Sequence, residues 1–448
     1  MRSSCAQDAA TLDNMRGMLS AGLQKTGVHA DNPLLSPEVA PVIARHIPPR
    51  QHPFLHQTSK AVRAAMGVTT PAEFRANGHQ QPNRTEQILT LLEARCAQYS
   101  LHSISIIGVY LDIPYGEYPS RAPRLAAVLR RCPHLTSLNL SGTRLTQWRD
   151  IAQALPSCPN LSYLDVTHCR IREYAEHFAP CMSAVTGLTK LNLSNNSFFY
   201  EGQLQWITDA LPQCTRLQHL DLSSNGLSMA HAALLEVALP QCPSLKHLNL
   251  HHNIFGDRAA PHIARALTTC PRLQHLDLSR NIFDIGSAHE LAAALPQCLA
   301  LRHLDLAGNS LSAAGIRVFG HNSVGRGLTY LDLSHNDINC PVGAPVYETS
   351  MPFLSTLVQI ILAHNQLRDT FAQTLVRGLP NCWALAVLDL HDTLLTDVGV
   401  QELPAVLPRC HRLTRLVLTN NVFTQDTTRR IRDVWSAQDL DIRRLFVP

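Results

Sequence analysis

Leucines recur along this chain at a nearly fixed interval. The segments LTKLNLSNNSF from Leu188, LQHLDLSSNGL from Leu217 and LKHLNLHHNIF from Leu245 share one pattern, continued by LQHLDLSRNIF from Leu273, LRHLDLAGNSL from Leu301 and LTYLDLSHNDI from Leu328. Weaker copies begin at Leu101, Leu135, Leu161, Leu357, Leu385 and Leu413, giving 12 units at intervals of 34, 26, 27, 29, 28, 28, 28, 27, 29, 28 and 28 residues. Self-similarity at such a period marks a stacked array. In Leu-x-x-Leu-x-Leu the last two leucines stand two apart, so both face one side of a strand. The Asn that follows (Asn196, Asn225, Asn253, Asn281, Asn309, Asn336, Asn365, Asn421) stands where the chain leaves the strand, and its amide can satisfy backbone groups of the turn and of the next coil. Thr143, Cys169 and Thr393 take its place in weaker units. The second half of each unit, such as MAHAALLEVAL from Met229 or SAHELAAAL from Ser287, predicts an amphipathic helix. One unit cannot bury its apolar face alone, so stacking supplies the core.

The helices run into a recurring Leu-Pro-x-Cys, as LPSC at Leu155, LPQC at Leu211, Leu239 and Leu295, LPNC at Leu379 and LPRC at Leu407. Proline cannot continue a helix. Eight of the 13 cysteines (Cys132, Cys158, Cys214, Cys242, Cys270, Cys298, Cys382, Cys410) lie three residues before a strand leucine, where a small apolar side chain fits. Because that spacing belongs to the repeat and no CxxC pair is present, neither a disulfide ladder nor a metal stack is expected. NRTEQILTLLEARCAQY predicts a helix opened by Asn83 and Glu86, a capping-box-like pair. The tail from Thr424 predicts a capping helix with an apolar stripe of Ile431, Val434 and Trp435.

This pattern resembles the leucine-rich repeat, and units of 27–29 residues are similar to its ribonuclease-inhibitor-like class. The resemblance implies an α/β fold, a horseshoe solenoid with a parallel concave sheet and convex helices. On this reading residues 85–423 are the solenoid of about 12 repeats with its N-terminal capping helix, and 424–448 the C-terminal cap. Residues 67–84 are a linker and 1–31 a flexible N-terminal segment.

Residues 32–66 between them hold two helical runs around Pro48–Pro49 and resemble an F-box, whose motif is Leu-Pro-x-Glu-Leu, an apolar helix ending in Leu-Pro, then a helix ending in Ser/Cys-Lys-x-Trp-Arg. Leu35, Pro37, Glu38 and Val39 take the opening, Ile43, Ile47 and Pro48 the middle, and Leu55, Thr58, Ser59, Lys60 and Arg63 the end. Ser36, Gln51, His52 and Val62 depart from the motif. The resemblance implies a small helical domain that docks on the Skp-type adaptor of a cullin ubiquitin ligase, with Leu35, Val39, Ile43 and Ile47 against the adaptor. A plain helical hairpin capping the solenoid is the alternative. An F-box before leucine-rich repeats is similar to the layout of the GALA group of type III effectors of plant-pathogenic bacteria. Gly286-Ser287-Ala288-His289-Glu290-Leu291-Ala292 comes nearest to that group's helix motif. This resemblance implies secretion by a type III system into the cytoplasm or nucleus of a host cell, the alternative being a cytoplasmic protein.

Residues either side of the second strand leucine point to the concave surface. The first column reads Ser137, Tyr163, Lys190, His219, His247, His275, His303, Tyr330, Gln359, Val387 and Arg415, and the second Asn139, Asp165, Asn192, Asp221, Asn249, Asp277, Asp305, Asp332, Ile361, Asp389 and Val417. Four histidines thus form one column at about 5 Å spacing, beside an acidic row. His219 to Tyr330 and Asp221 to Asp332 are the candidate partner-binding residues. Neighbouring imidazoles would lower one another's pKa and the carboxylates would raise it, which the sequence alone does not decide. Zinc on the His–Asp pairs would need a supporting shell that the sequence does not display, so neither a metal nor any other cofactor is expected.

Composition narrows the function. Only four of the 38 basic residues are lysine (Lys25, Lys60, Lys190, Lys246). A coding bias toward arginine gives this, and so does avoidance of ubiquitin acceptors. A net charge of +4 leaves no electrostatic footprint for nucleic acid. The longest nearly apolar run, Leu354 to Ala363, is too short to span a membrane. The N-terminus lacks a continuous apolar core, so no secretory signal peptide is expected. No nucleophile elbow, P-loop or HExxH is present, and no catalytic residues are assigned. The 25 residues after Phe423 are too few for a catalytic cysteine domain, and the arginine-rich end is unlike the acidic tail of a Ran-type GTPase activator, the remote enzyme-class alternative. The expected function is protein–protein interaction, as an F-box substrate adaptor holding an unknown protein on the concave face, or as a scaffold without a ubiquitin role.

Overall fold

The computed structural model describes residues 73–77, 82–111, 120–145, 148–171, 176, 182, 185–321, 327–340, 355–438 and 445–447. The expected F-box segment, with Leu35, Pro37, Glu38, Val39, Ile43, Ile47 and Pro48, lies outside the described residues, as does 1–31.

One parallel sheet of 14 strands, hydrogen-bonded in sequence order, runs through the described residues. It begins with β1 (Glu73–Asn77), helix α1 (Pro82–Gln98) and β2 (Ser103–Ile107). Then follow α2 (Ala122–Arg130), β3 (Ser137–Asn139), α3 (Trp148–Ala154), β4 (Tyr163–Asp165), β5 (Lys190–Asn192) and α4 (Glu201–Ala210). The middle holds β6 (His219–Asp221), α5 (Met229–Ala238), β7 (His247–Asn249), α6 (Ala260–Thr268), β8 (His275–Asp277), α7 (Ile285–Ala294), β9 (His303–Asp305), α8 (Ser312–His321) and β10 (Tyr330–Asp332). The end holds β11 (Gln359–Ile361), α9 (Arg368–Gly378), β12 (Val387–Asp389), the short helices α10 (Asp397–Val400) and α11 (Leu403–Val406), β13 (Arg415–Val417), α12 (Gln425–Ser436) and β14 (Leu445–Phe446). Strands β2 to β13 are the 12 units read from the leucine pattern. The chain is a leucine-rich-repeat solenoid.

The strand leucines, such as Leu217, Leu220 and Leu222, are buried between sheet and helices. The strand-exit asparagines hold the coils together. Asn253 donates from Nδ2 to the carbonyls of Leu250 (2.9 Å) in its own coil and Leu222 (3.2 Å) in the preceding one, while its Oδ1 accepts the backbone N–H of Asn225 and of Leu227, both at 3.0 Å. The same cross-coil donation recurs at Asn196, Asn225, Asn281, Asn309, Asn336, Asn365 and Asn421. Thr143 and Cys169 replace it by one bond to the preceding coil, and Thr393 by one to its own. The residue before each asparagine turns left-handed: Ser224, His252, Arg280, His335 and His364 have φ between 50° and 56°. Gly308 takes this position without steric cost.

The helices end as Leu-Pro-x-Cys requires. In α5 the helix stops at Ala238, one 3-10 turn covers Leu239–Gln241, and Cys242 N–H closes on Leu239 at 2.9 Å. Several repeat thiols face carbonyls of the preceding coil, Cys158 to Leu129 at 3.4 Å and Cys242 to Leu211 at 3.7 Å, while Cys298, Cys382 and Cys410 face the carbonyl four residues back in their own coil. This weak donation explains why cysteine suits the site as well as alanine would. Burial pushes the thiols up, Cys158 and Cys214 to about 11 and Cys242 to about 12. All cysteines among the described residues are free.

Both ends of the sheet extend beyond the expected units. The segment read as a linker, 67–84, contains β1, which pairs with β2 from Glu73↔Ser103 to Asn77↔Ile107. Phe74 is buried and Ala76 packs against the core. An edge strand needs a backbone partner and only a short alternation, which the sequence hides among Gly, Pro and Asn. Helix α1 begins at Pro82, so Asn83 lies inside it and the expected capping box is not the role of Glu86. Glu86 instead pairs with Arg121 (3.1 Å) and Arg124, and Arg124 also grips Glu93 with two bonds of 2.7 Å, riveting α1 to α2. At the other end Ile431 and Trp435 of α12 are fully buried, and β14 adds a strand to β13.

Asn253→Ala leaves two buried N–H groups without an acceptor, each costing about 1–3 kcal/mol. Urea unfolding should show a loss of about 2–6 kcal/mol by that arithmetic; an unchanged midpoint would remove the ladder from the account of stability. Cys158, Cys214 and Cys242 should resist maleimide labelling at neutral pH until denaturant is added, as followed by peptide mass mapping. Labelling as fast in the native as in the denatured protein would show that these sites open freely.

Candidate functional site

The in-register pairing of β4 to β11 sets Tyr163, Lys190, His219, His247, His275, His303, Tyr330 and Gln359 side by side in one column. Leu220, Leu248, Leu276 and Leu304 point inward, so these residues point out to the concave face, half-buried among their neighbours except for the exposed Lys190. The rings stack. His219 and His247 lie 4.0 Å apart at 7°, His247 and His275 4.2 Å apart at 12°, and His303 and Tyr330 3.8 Å apart at 9°. Between His275 and His303 the stack opens to 5.3 Å and 35°.

Beside the rings run Asp221, Asn249, Asp277, Asp305 and Asp332. Each uses Oδ1 to accept the backbone N–H two residues on: Ser223, His251, Ser279 and Ala307 at 2.9 Å and Ser334 at 2.8 Å. The inner oxygens of this row thus cap the strand-exit turns. Ser223, Ser279 and Ser334 add hydroxyl bonds to the same oxygens. Ala307 cannot. Burial, helped by Asp332 and Asp277, pushes the Asp305 carboxyl up to about 7. The outer oxygen of Asp221 accepts from Asn249 (3.1 Å), and that of Asp332 from the Tyr330 hydroxyl (3.3 Å). Among the described residues no lysine or arginine pairs with any of these carboxylates.

For three of the four rings, the competition left open by the sequence resolves downward. Burial lowers His219, His247 and His303 below the ordinary imidazole range, and His247, flanked by His219 and His275, falls to about 4. For His303 the attraction of Asp277 and Asp332 is outweighed by burial and His275. The stack faces do not converge on a point, and no group of three or more His, Cys, Asp or Glu side chains among the described residues could hold a metal. None of the described helices is long and apolar enough to cross a membrane.

A second histidine row escaped the sequence reading. His335 and His364, at the left-handed turn positions, stack at 4.1 Å, and His364 Nδ1 lies 3.0 Å from Asp392. His251 and His391 bond Ser279 (2.7 Å) and Thr419 (2.8 Å) in the next coil. The signal was available, since these residues stand one or two places before the ladder asparagine. Beside them Phe199, Ile254 and Ile282 are exposed.

A family model for the leucine-rich repeat matches residues 131–146, 213–228, 297–320 and 328–339. Among solved structures, an internalin (inlF) from Listeria monocytogenes is similar, with 18% identity over 80% of this chain and 93% of its own, at a TM-score of 0.44. No curated protein matches the chain.

The pKa shifts set a pH dependence. His247 is depressed in the fold, so from about pH 6.5 down to about 4 the unfolded chain takes up a proton that the fold refuses, and stability is lost as pH falls. Asp305, raised to about 7, opposes this, because the fold binds its proton first. His247→Gln should therefore flatten the loss of urea midpoint across this window, and Asp305→Asn should steepen it. Parallel curves for both variants and the parent would contradict the assignment.

Proposed function

We propose that this leucine-rich-repeat protein holds a protein partner on its concave sheet and couples it to a second protein through residues 32–66. The ladder of His219, His247, His275, His303 and Tyr330 carries the first half. The leucine core needs none of these side chains, yet they form one continuous strip on the face that repeat arrays use for binding. Stacked aromatic surface with polar edges is what dominates interface cores.

The second half rests on the sequence. Leu35, Pro37, Glu38, Val39, Ile43, Ile47 and Pro48 follow the F-box pattern, and lysine is scarce throughout. The chain is then an F-box adaptor that docks on a Skp-type protein and presents its partner to a cullin-type ubiquitin ligase. By its likeness to the GALA layout it works in a host cell, delivered by a type III system to the cytoplasm or nucleus.

The test is capture of purified Skp-type adaptors by the full chain and by Val39→Asp/Ile43→Asp. The parent should bind and the double variant should not, with unchanged circular dichroism. Absence of binding by the parent would remove the adaptor half and leave a scaffold. Unfolding of the array in the double variant would make residues 32–66 a structural cap instead.

A further inference from the structure

We propose that the concave ladder from β6 to β10 seats an extended, arginine-bearing segment of the partner, with a guanidinium laid over the solvent side of the tilted His275–His303 pair and held by Asp277 and Asp305. This rests on the concave sheet being the partner face.

Charge complementarity names the occupant. Asp221, Asp277, Asp305 and Asp332 stand in one strip, and no lysine or arginine among the described residues answers them. Lys190 lies at the edge of the strip, in β5. Burial lowers the imidazoles of His219, His247 and His303 beside them, which disfavours their cationic form. An acidic segment would meet only repulsion here, and an apolar one would bury carboxylates without a counter-charge, which is costly.

The geometry chooses arginine and the place. The ring stack opens once, between His275 and His303, at the pair of strands that carry Asp277 and Asp305. Among the described residues these two carboxylates are also the ones whose outer oxygens have no hydrogen-bond partner, whereas those of Asp221 and Asp332 are bonded by Asn249 and Tyr330. A guanidinium stacks on flat rings and forks onto carboxylates, and an ammonium does only the second, as a point charge. The half-buried carboxyl of Asp305, lacking the hydroxyl that its neighbours enjoy, gains most from a cation.

The test is fluorescence anisotropy of the full chain with three short labelled peptides, alternating Ser with Arg, Lys or Glu, at neutral pH and low salt. The Arg peptide should bind, and the Lys peptide more weakly by about tenfold, the scale of a lost charge-assisted bond. Asp277→Asn with Asp305→Asn should weaken the Arg peptide by about tenfold or more. The fold tolerates this change, because Asn249 makes the same turn bond in β7. Glu290→Gln with Asp209→Asn removes equal charge from helices α7 and α4, and should change nothing. No binding of the Arg peptide, equal binding of the Lys peptide, or equal loss in both double variants would overturn the proposal. Hydrogen exchange with the Arg peptide bound separates the two failures. Protection of β6 to β10 without sensitivity to the aspartates keeps the partner face and loses the arginine seat. Protection confined to the convex helices removes the face itself.

Discussion

Every strong repeat leaves its strand on a buried asparagine, and that one side chain constrains the rest. Asn253 must reach carbonyls in two coils and accept two N–H groups from the earlier one, so both coils must leave their strands with the same turn. A register slip of one residue would break these bonds and turn the strand leucines outward together. Core and ladder therefore specify the same stacking. The left-handed residue before each asparagine is part of this constraint, and it is held by non-glycine residues such as Arg280 and His252 because the bonds on either side fix it.

In-register stacking decides what the concave face can carry. A residue type repeated at one position becomes a stripe at sheet spacing, where like charges would repel directly. The two stripes meet this problem differently. The His247 imidazole is pushed toward its neutral form, through burial and through its ring neighbours. The carboxylates each give one oxygen to a turn N–H and, where serine follows, to a hydroxyl. Asp305 is the exception that exposes the rule: alanine follows it, and its carboxyl is pushed up to about 7.

The repeat made most of this legible. Leucine spacing located β2 to β13, and the alternation around Leu220, Leu248, Leu276 and Leu304 located the His and Asp columns before any distance was known. What stayed hidden was whatever the period does not encode. Strand β1 and strand β14 borrow their pairing from a neighbour and carry no leucine motif of their own. Glu86 looked like a cap because caps are read locally, while its partners Arg121 and Arg124 lie 35 or more residues away. The break between His275 and His303 is a matter of ring tilt, which identical residues in identical registers cannot announce.

The ladder also has a length, and its length bears on what it can hold. It is bounded by Lys190 on one side and by Gln359 and Ile361 on the other, where neither an aromatic ring nor a carboxylate continues the strip. From β6 to β10 the distance is about 20 Å at ordinary strand spacing. That is the reach of about six residues of extended chain. A footprint of this size suits a linear segment laid across the strands better than a broad globular face.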